Sequence, residues 1–414
     1  MNSDIIARGG NTLSDKKILF IPDSIWGSES GHRSSKYLVK IFNDIGVKVG
    51  IYAPKANYSI EQERQLGNSN TYFEQSAYTY FQNIFPFIVT REFKAVIKAF
   101  DPDYVFYMGV IKNKVTINLC RKAGVPYSYL PLTTEYYCVK NFAGLDSGPC
   151  FQCIKSPVLS PFKNRCLGTR FNLPKYLKEI IFSINSKPRI LEANKIIGYS
   201  DNQLGYLKDF GVQTASTLKM PIFFDPDTVA DVATSDGDYF VMSGQNITSK
   251  GWHVIPDVIK KGRNIKYKLI MRNKEQANDF IQNNDLVEYI KNGVIELVHY
   301  LKTHKELLEM IARSRGVLVP SYYATTGEFY LLEALGLGKP VILFDAGIHS
   351  EIIVHEHNGM ISKIGDLSDF AKNVQKVNDD NELRENLSNG AKRLFSDLVS
   401  VSKFKNTVEK YFAK

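Results

Sequence analysis

From residue 236 to residue 344 the chain repeats one unit: a short apolar run, a polar turn, then a stretch with apolar residues at helical spacing. DYFVMSG, YKLIMRN, IELVHYL, RGVLVPS and KPVILFD read as strands, and KGWHVIPDVIKKG, HKELLEMIARS and TTGEFYLLEALGLG as helices. Strands alternating with helices of this length predict parallel sheets built from right-handed βαβ units. The first half follows the same rule. KKILFIPDSIWG is a strand running into a glycine-containing loop. SSKYLVKIFNDIG is a helix with Tyr37, Leu38, Ile41, Phe42 and Ile45 on one face, closed by Gly46, and VKVGIYAP is the next strand. REFKAVIKAFD and TINLCRKAG read as helical, YVFYMG and PYSYLPL as extended. The expected fold class is therefore α/β, with two doubly wound parallel-sheet domains facing a cleft. In such sheets ligands sit beyond the carboxyl ends of the strands.

A length of 414 residues suits two to three domains. SDNQLGYLKDFGVQ and MPIFFDPD read as a crossing between halves, which puts the boundary near residue 220. The expected division is a disordered polar lead (1–16), an N-terminal domain (17–220) with a cysteine-rich excursion (135–170), a C-terminal domain (221–395), and a final helix (396–414) packing back on the N-terminal domain. No run of about 18 apolar residues occurs, and the N-terminus has no apolar signal core. A cytoplasmic chain is expected, at most peripheral at the inner face of a membrane. Residues 1–220 hold 28 Lys+Arg against 17 Asp+Glu, and the remainder is close to neutral. Only the first half is thus suited to an anionic partner, membrane surface or nucleic acid, and a solvated basic surface with no partner is the plainer alternative.

The densest local signal is PSYYATTGEFYLLEALGLGKPVI, residues 320–342. Thr325 and Glu328 have capping-box spacing, and the helix that follows carries one charged residue, Glu333, among apolar neighbours. A carboxylate buried there needs a partner. The N-terminus of such a helix offers free N–H groups to an anion such as phosphate. On the residues alone, Glu328 reads equally as the reciprocal capping group, and Glu333 as a carboxylate satisfied by local backbone.

The segment resembles the signature of retaining glycosyltransferases of the GT-B fold (glycosyltransferase group 1, family 4 type), which use nucleotide sugars. Their two glutamates, eight positions apart, bracket a Gly/Phe-rich turn and a Leu-Glu-Ala helix. Glu333-Ala334-Leu335, with Gly338 and Pro340-Val341-Ile342, matches the second half. The resemblance implies that Glu333 binds the donor ribose and that backbone N–H groups around Thr326, Gly327 and Phe329 hold the diphosphate. The first glutamate position falls on Thr325, a departure, with Glu328 as the nearest substitute. In YFVMSGQNITSKGWHVI, Gly244 and Lys250 resemble the family's diphosphate loop, and Lys250 opens a helix in this reading. Gln245 stands where the family has arginine, so Arg272 at the end of the next strand is a candidate replacement cation. FDAGIHSEIIVHEHNGMIS resembles the family's aspartate-glycine-glycine turn, Glu-Ile-Ile helix and Asn-Gly turn.

In the first half, Gly31 sits at the βα loop where the resemblance implies close approach to the donor phosphates. His32 and Arg33 are candidate acceptor or phosphate contacts, with a solvated loop as the alternative. The family often places a histidine after the fourth strand and a histidine-aspartate pair after the fifth. This chain has VFYMGVIKNK and LPLTTEYYC, which leaves Glu135 as the carboxylate at the second position, a base toward an acceptor hydroxyl or a partner of local backbone.

Cys138, Cys150, Cys153 and Cys166 form a C-x11-C-x2-C-x12-C run, a donor set suited to structural zinc or, equally, to unligated thiols. Cys120 lies in an apolar helix and reads as core. Residues 155–190 interleave bases with Phe162, Leu173, Tyr176 and Leu177, as on an anionic bilayer surface or on a helix packed against its own domain. No HExxH, Walker A, GxSxG or full GxGxxG occurs, which speaks against peptidase, NTPase, esterase and dehydrogenase chemistry. The expectation is a glycosyltransferase using a nucleotide diphosphate sugar, a glycan or lipid-linked acceptor, and no cofactor in catalysis. The alternatives are a nucleotide-sugar epimerase of the same fold and a non-catalytic protein that binds nucleic acid or membrane.

Overall fold

Runs such as Phe240–Met242 and Gly316–Val319 are apolar on both faces, and a strand like that is stable only where both faces of its sheet are covered. The computed structural model describes residues 16–22, 25, 30–54, 70–75, 86–109, 120–134, 136–140, 142–145, 147–166, 173–174, 176–177, 190–245, 248–271, 273–299 and 301–412. In it the two strand sets form two parallel sheets. The first contains β1 (Lys17–Pro22), β2 (Lys48–Pro54), β3 (Thr71–Gln75), β4 (Tyr104–Met108) and β5 (Tyr127–Leu130). A two-stranded antiparallel hairpin follows, β6 (Gly144–Leu145) with β7 (Gly148–Pro149), and then β8 (Lys195–Gly198) and β9 (Thr217–Lys219) return to the sheet. Its order is β3-β2-β1-β4-β5-β8-β9. Register is fixed by apolar pairs such as Phe20↔Phe106 and Met108↔Leu130.

The second sheet holds β10 (Tyr239–Ser243), β11 (Lys266–Ile270), β12 (Ile295–Val298), β13 (Gly316–Val319), β14 (Val341–Phe344) and β15 (Met360–Ser362), in the order β12-β11-β10-β13-β14-β15. Its helices start where the sequence supplies caps. Thr303 accepts from Glu306 N at the head of the His304–Ala312 helix, and Asp366 caps Leu367–Asp379 in the same way. KGWHVIPDVIKKG departs from the expected single helix. Two short 3-10 turns, Thr248–Lys250 and Trp252–Val254, precede a helix that begins at Ile255, with Pro256 in its first turn.

The domains share an apolar seam. Phe223 lies edge-on to Tyr199 and Phe404, and Phe224 edge-on to Phe329 and Phe395. Glu351, from the second domain, accepts 2.8 and 2.6 Å hydrogen bonds from the N–H groups of Asp201 and Asn202. A carboxylate at the start of the Asp201–Phe210 helix meets both free donors and the positive end of the helix dipole. The final helix, Val401–Phe412, crosses back to the first sheet, where the Tyr411 hydroxyl bonds Tyr104 and lies 2.8 Å from Ser128 Oγ. Among the described residues, no helix is long and apolar enough to cross a membrane.

Candidate active site

Two carboxylates five residues apart, Glu328 and Glu333, are buried in the segment that follows the strand Gly316–Val319. Glu333, in the Phe329–Gly336 helix, is 1% exposed. Its Oε1 accepts from Arg33 Nη1 at 2.6 Å and lies 2.9 Å from His304 Nε2. Arg33 comes from the Ser30–Asp44 helix of the other domain, and its guanidinium stands 5.1 Å over the Phe329 ring. His304 Nε2 is also 2.9 Å from Arg33 Nη1. Carrying a proton it donates to Glu333; bare, it accepts from Arg33. One imidazole can thus serve either side of the ion pair.

Glu328 heads the same helix and makes no capping bond. The capping-box expectation fails because both partners are engaged elsewhere. Thr325 Oγ1 donates to Ala346 O at 2.8 Å, bracing two loops. Glu328 is 7% exposed and holds three side chains: Lys250, Ser321 Oγ at 2.9 Å, and His349 Nε2 at 3.0 Å. His349 Nδ1 lies 2.8 Å from Phe344 O, so each ring nitrogen faces an oxygen. Burial works to raise the Glu328 carboxyl, but the Lys250 charge and the His349 hydrogen bond outweigh it and lower it to about 2. Burial works to lower the Lys250 ammonium, and the Glu328 and Tyr323 partners outweigh it, raising it above the usual lysine range.

Lys250 also donates to Tyr323 Oη at 3.0 Å. Three donors on one ammonium leave one N–H for an incoming anion. The first bond of the helix runs from Leu332 N to Glu328 O, which leaves the N–H groups of Phe329 and Tyr330 without helical partners. The arrangement supplies one fixed cation and a helix N-terminus at the carboxyl ends of parallel strands. That is what a diphosphate needs.

Residues 229–394 match the family described as "Glycosyl transferases group 1". No curated protein sequence matches the chain. Among solved structures, sucrose-phosphate synthase from Thermosynechococcus elongatus superposes with a TM-score of 0.70 at 13% identity, covering 96% of this chain and 98% of that one. Anabaena HepE, in complex with UDP and glucose, gives a TM-score of 0.65 at 15% identity, covering 96% and 99%. A glycosyltransferase from Rickettsia africae gives 0.66 at 13%, covering 96% and 97%. The fold is GT-B.

Within this GT-B frame the other expected residues fall into place unevenly. Gly31 opens the Ser30–Asp44 helix beside Leu132, and His32 follows it half-buried. Thr326 Oγ1 donates to Leu132 O at 3.3 Å, and Gly327 faces Tyr199 and Ile222, so this turn seats against the first domain. Gly244 has φ +142° and is exposed, and Gln245 is exposed and lines a cavity that Lys250 and Glu328 do not. Lys250 ends a 3-10 turn rather than opening an α-helix, because Gly251 at φ +77° turns the chain against Pro320 O. Glu135 and Arg272 lie outside the described residues. Sequence reasoning passed over His304, Ser321, Tyr323 and His349. Each sits at a strand end or at the head of the following helix, which was the available signal.

The four cysteines gather under the hairpin. Cys138 and Cys153 are buried, Cys150 and Cys166 half-buried, and all are free thiols. Burial, with Cys138, Cys166 and Cys150 nearby, pushes the Cys153 thiol up to about 12. Among the described residues, no group of three or more His, Cys, Asp or Glu side chains has metal-holding geometry.

Proposed function

We propose that this protein moves a hexose, with retention, from a nucleotide diphosphate sugar to a glycan or lipid-linked acceptor, in the assembly of bacterial surface polysaccharide or glycoconjugate. The observation that carries the reading is Lys250, held by Glu328 and Tyr323 beside the free N–H groups of Phe329 and Tyr330. The ammonium and the helix end neutralise the diphosphate as it leaves, without a metal in the step. Glu333, fixed by Arg33 and His304, presents a carboxylate to the donor ribose, and Glu328 acts through Lys250 as a positioning residue. HepE and a TarM variant have been solved with UDP, which supports a nucleotide-linked donor.

An anionic membrane surface is the proposed setting. Leu159 is 71% and Phe162 59% exposed, with Lys155, Lys163 and Arg165 exposed around them. Apolar side chains ringed by bases suit the headgroup region of such a bilayer. Structural zinc on Cys138, Cys150, Cys153 and Cys166 is proposed from the donor set and from the gathering of the thiols, not from ligating spacing. If bound, it would brace the excursion and take no part in the transfer.

The test is a thermal-shift panel of UDP-, GDP- and dTDP-sugars, since a donor stabilises only the folded state that binds it. One sugar nucleotide should raise Tm, and release of its nucleoside diphosphate should require an acceptor. No shift with any donor would contradict the reading, and acceptor-independent conversion of the donor would make the protein an epimerase.

A further inference from the structure

A cavity of about 880 Å³ opens between the cysteine-bearing excursion and the second domain, and neither Glu333, Arg33 nor Lys250 lines it. We propose that it binds an uncharged, hydroxyl-rich ligand, and that this ligand is the glycan acceptor. The second clause rests on the glycosyltransferase reading; the first does not.

The chemistry of the walls selects the ligand. Gln245 comes from the loop after β10, and Gln276 and Asn283 from the Lys274–Asn283 helix. Their carboxamides each offer donors and an acceptor, and among the described residues none of the three side chains has a hydrogen-bond partner. A sugar hydroxyl likewise donates and accepts, so such amides match vicinal hydroxyls better than a point charge does. The formal charges in the wall, Lys140 and Asp279, oppose one another. A phosphate would find no net positive field here, unlike at Lys250.

The apolar part of the wall is aromatic. Trp252 and Phe280 meet edge-on with centroids 5.5 Å apart. Trp252 is 1% exposed, and among the described residues its indole Nε1–H has no acceptor. A buried donor left unpaired costs free energy, which an acceptor brought by a ligand or a water would recover. Half-buried Phe142 adds accessible aromatic surface beside the amides, the usual pairing for a ligand with an apolar ring face and a polar rim.

Position ties the cavity to the transfer. Its first-domain wall includes Phe142 and Gly144, and Gly144 forms a β-bridge with Tyr323, the residue that holds Lys250. A glycan seated there lies one residue layer from the proposed diphosphate site. Arg33, a candidate acceptor or phosphate contact, donates to Glu333 and does not line this cavity.

The chain has two tryptophans, Trp26 and Trp252, so Trp26→Phe leaves Trp252 as the only indole reporter. Fluorescence of that variant is titrated with maltotriose, chitotriose and methyl α-mannoside, and calorimetry on the wild-type chain repeats the titrations without depending on the substitution. Saturable binding of one glycan is expected, weakened about tenfold by Gln276→Ala or Asn283→Ala, as for loss of a hydrogen-bonded amide, and indifferent to saturating UDP. Absence of saturable binding by all three glycans, unchanged affinity in both variants, or displacement by UDP would each overturn the site. The donor panel is read separately. Donor binding without glycan binding removes this proposal alone, and glycan binding without donor binding removes the transferase reading and the acceptor role with it, leaving a glycan site.

Discussion

Arg33 Nη1 lies 2.6 Å from Glu333 Oε1, across 300 positions of sequence and across the two domains. The carboxylate side chain is 2% exposed and the guanidinium 23%, so the pair is buried on one side and wetted on the other. It fixes the carboxylate proposed to meet the donor and joins the two halves of the cleft. Arg33→Met strands that carboxylate with His304 alone. Breaking a fully buried pair costs about 3–5 kcal/mol, and partial exposure of Arg33 reduces this to about 2 kcal/mol. Urea unfolding of Arg33→Met, His304→Ala and the double variant should show the arginine effect as the larger, with the two non-additive. Unchanged midpoints would show that the contact contributes nothing.

Gly251 has φ +77°, and a Cβ there would sit 1.8 Å from Pro320 O. Gly251→Ala should destabilise by roughly 2–4 kcal/mol, from left-handed strain plus the displaced backbone. Because Lys250 is the neighbouring residue, donor affinity should fall further than a global loss of stability explains. Thermal unfolding and donor titration of one preparation separate the two effects, and wild-type stability would mean the loop is not held as described.

Glu328 sits at about 2 in the fold against an ordinary 4.5. The fold binds its ionised form, so this stabilisation is fully present above pH 4.5 and drains as pH falls from 4.5 toward 2. The difference corresponds to about 3 kcal/mol. Glu328→Gln should be less stable at neutral pH, with Lys250 uncompensated, yet lose less stability over that acid window than the wild type. Parallel stability curves for the two proteins would refute the pairing.

Metal analysis of protein purified under reducing conditions addresses the cysteines. One zinc per chain, with chelation loosening the first domain, is the outcome the donor set predicts. Four titratable thiols, no metal and unchanged stability would leave a packed thiol cluster.

Much of this architecture was legible in the chain because it is periodic. The alternation of Tyr239–Ser243, Lys266–Ile270 and Gly316–Val319 with amphipathic helices dictates parallel pairing. Glu333 stood out as one carboxylate in an apolar helix. Its pairing did not, since Arg33 and His304 reach it from the first turns of two separate helices and no spacing links them. The capping box at Thr325 and Glu328 misled for a related reason. Local pattern proposes a bond between neighbours, while Ala346, Lys250, Ser321 and His349 offered stronger tertiary ones. The Gln276 and Asn283 wall was equally invisible, because exposed polar residues on a helix read as ordinary solvation.

The most direct test of the account is the affinity of the chain for its nucleotide sugar, with Glu333 ionised and with it neutral. Calorimetric titration should give saturable donor binding to the wild type and binding at least about tenfold weaker to Glu333→Gln, the loss of a charge-assisted hydrogen bond to ribose. Equal donor affinity in the two proteins, or no donor binding by either, would contradict the assignment of this cleft to a nucleotide-sugar glycosyltransferase.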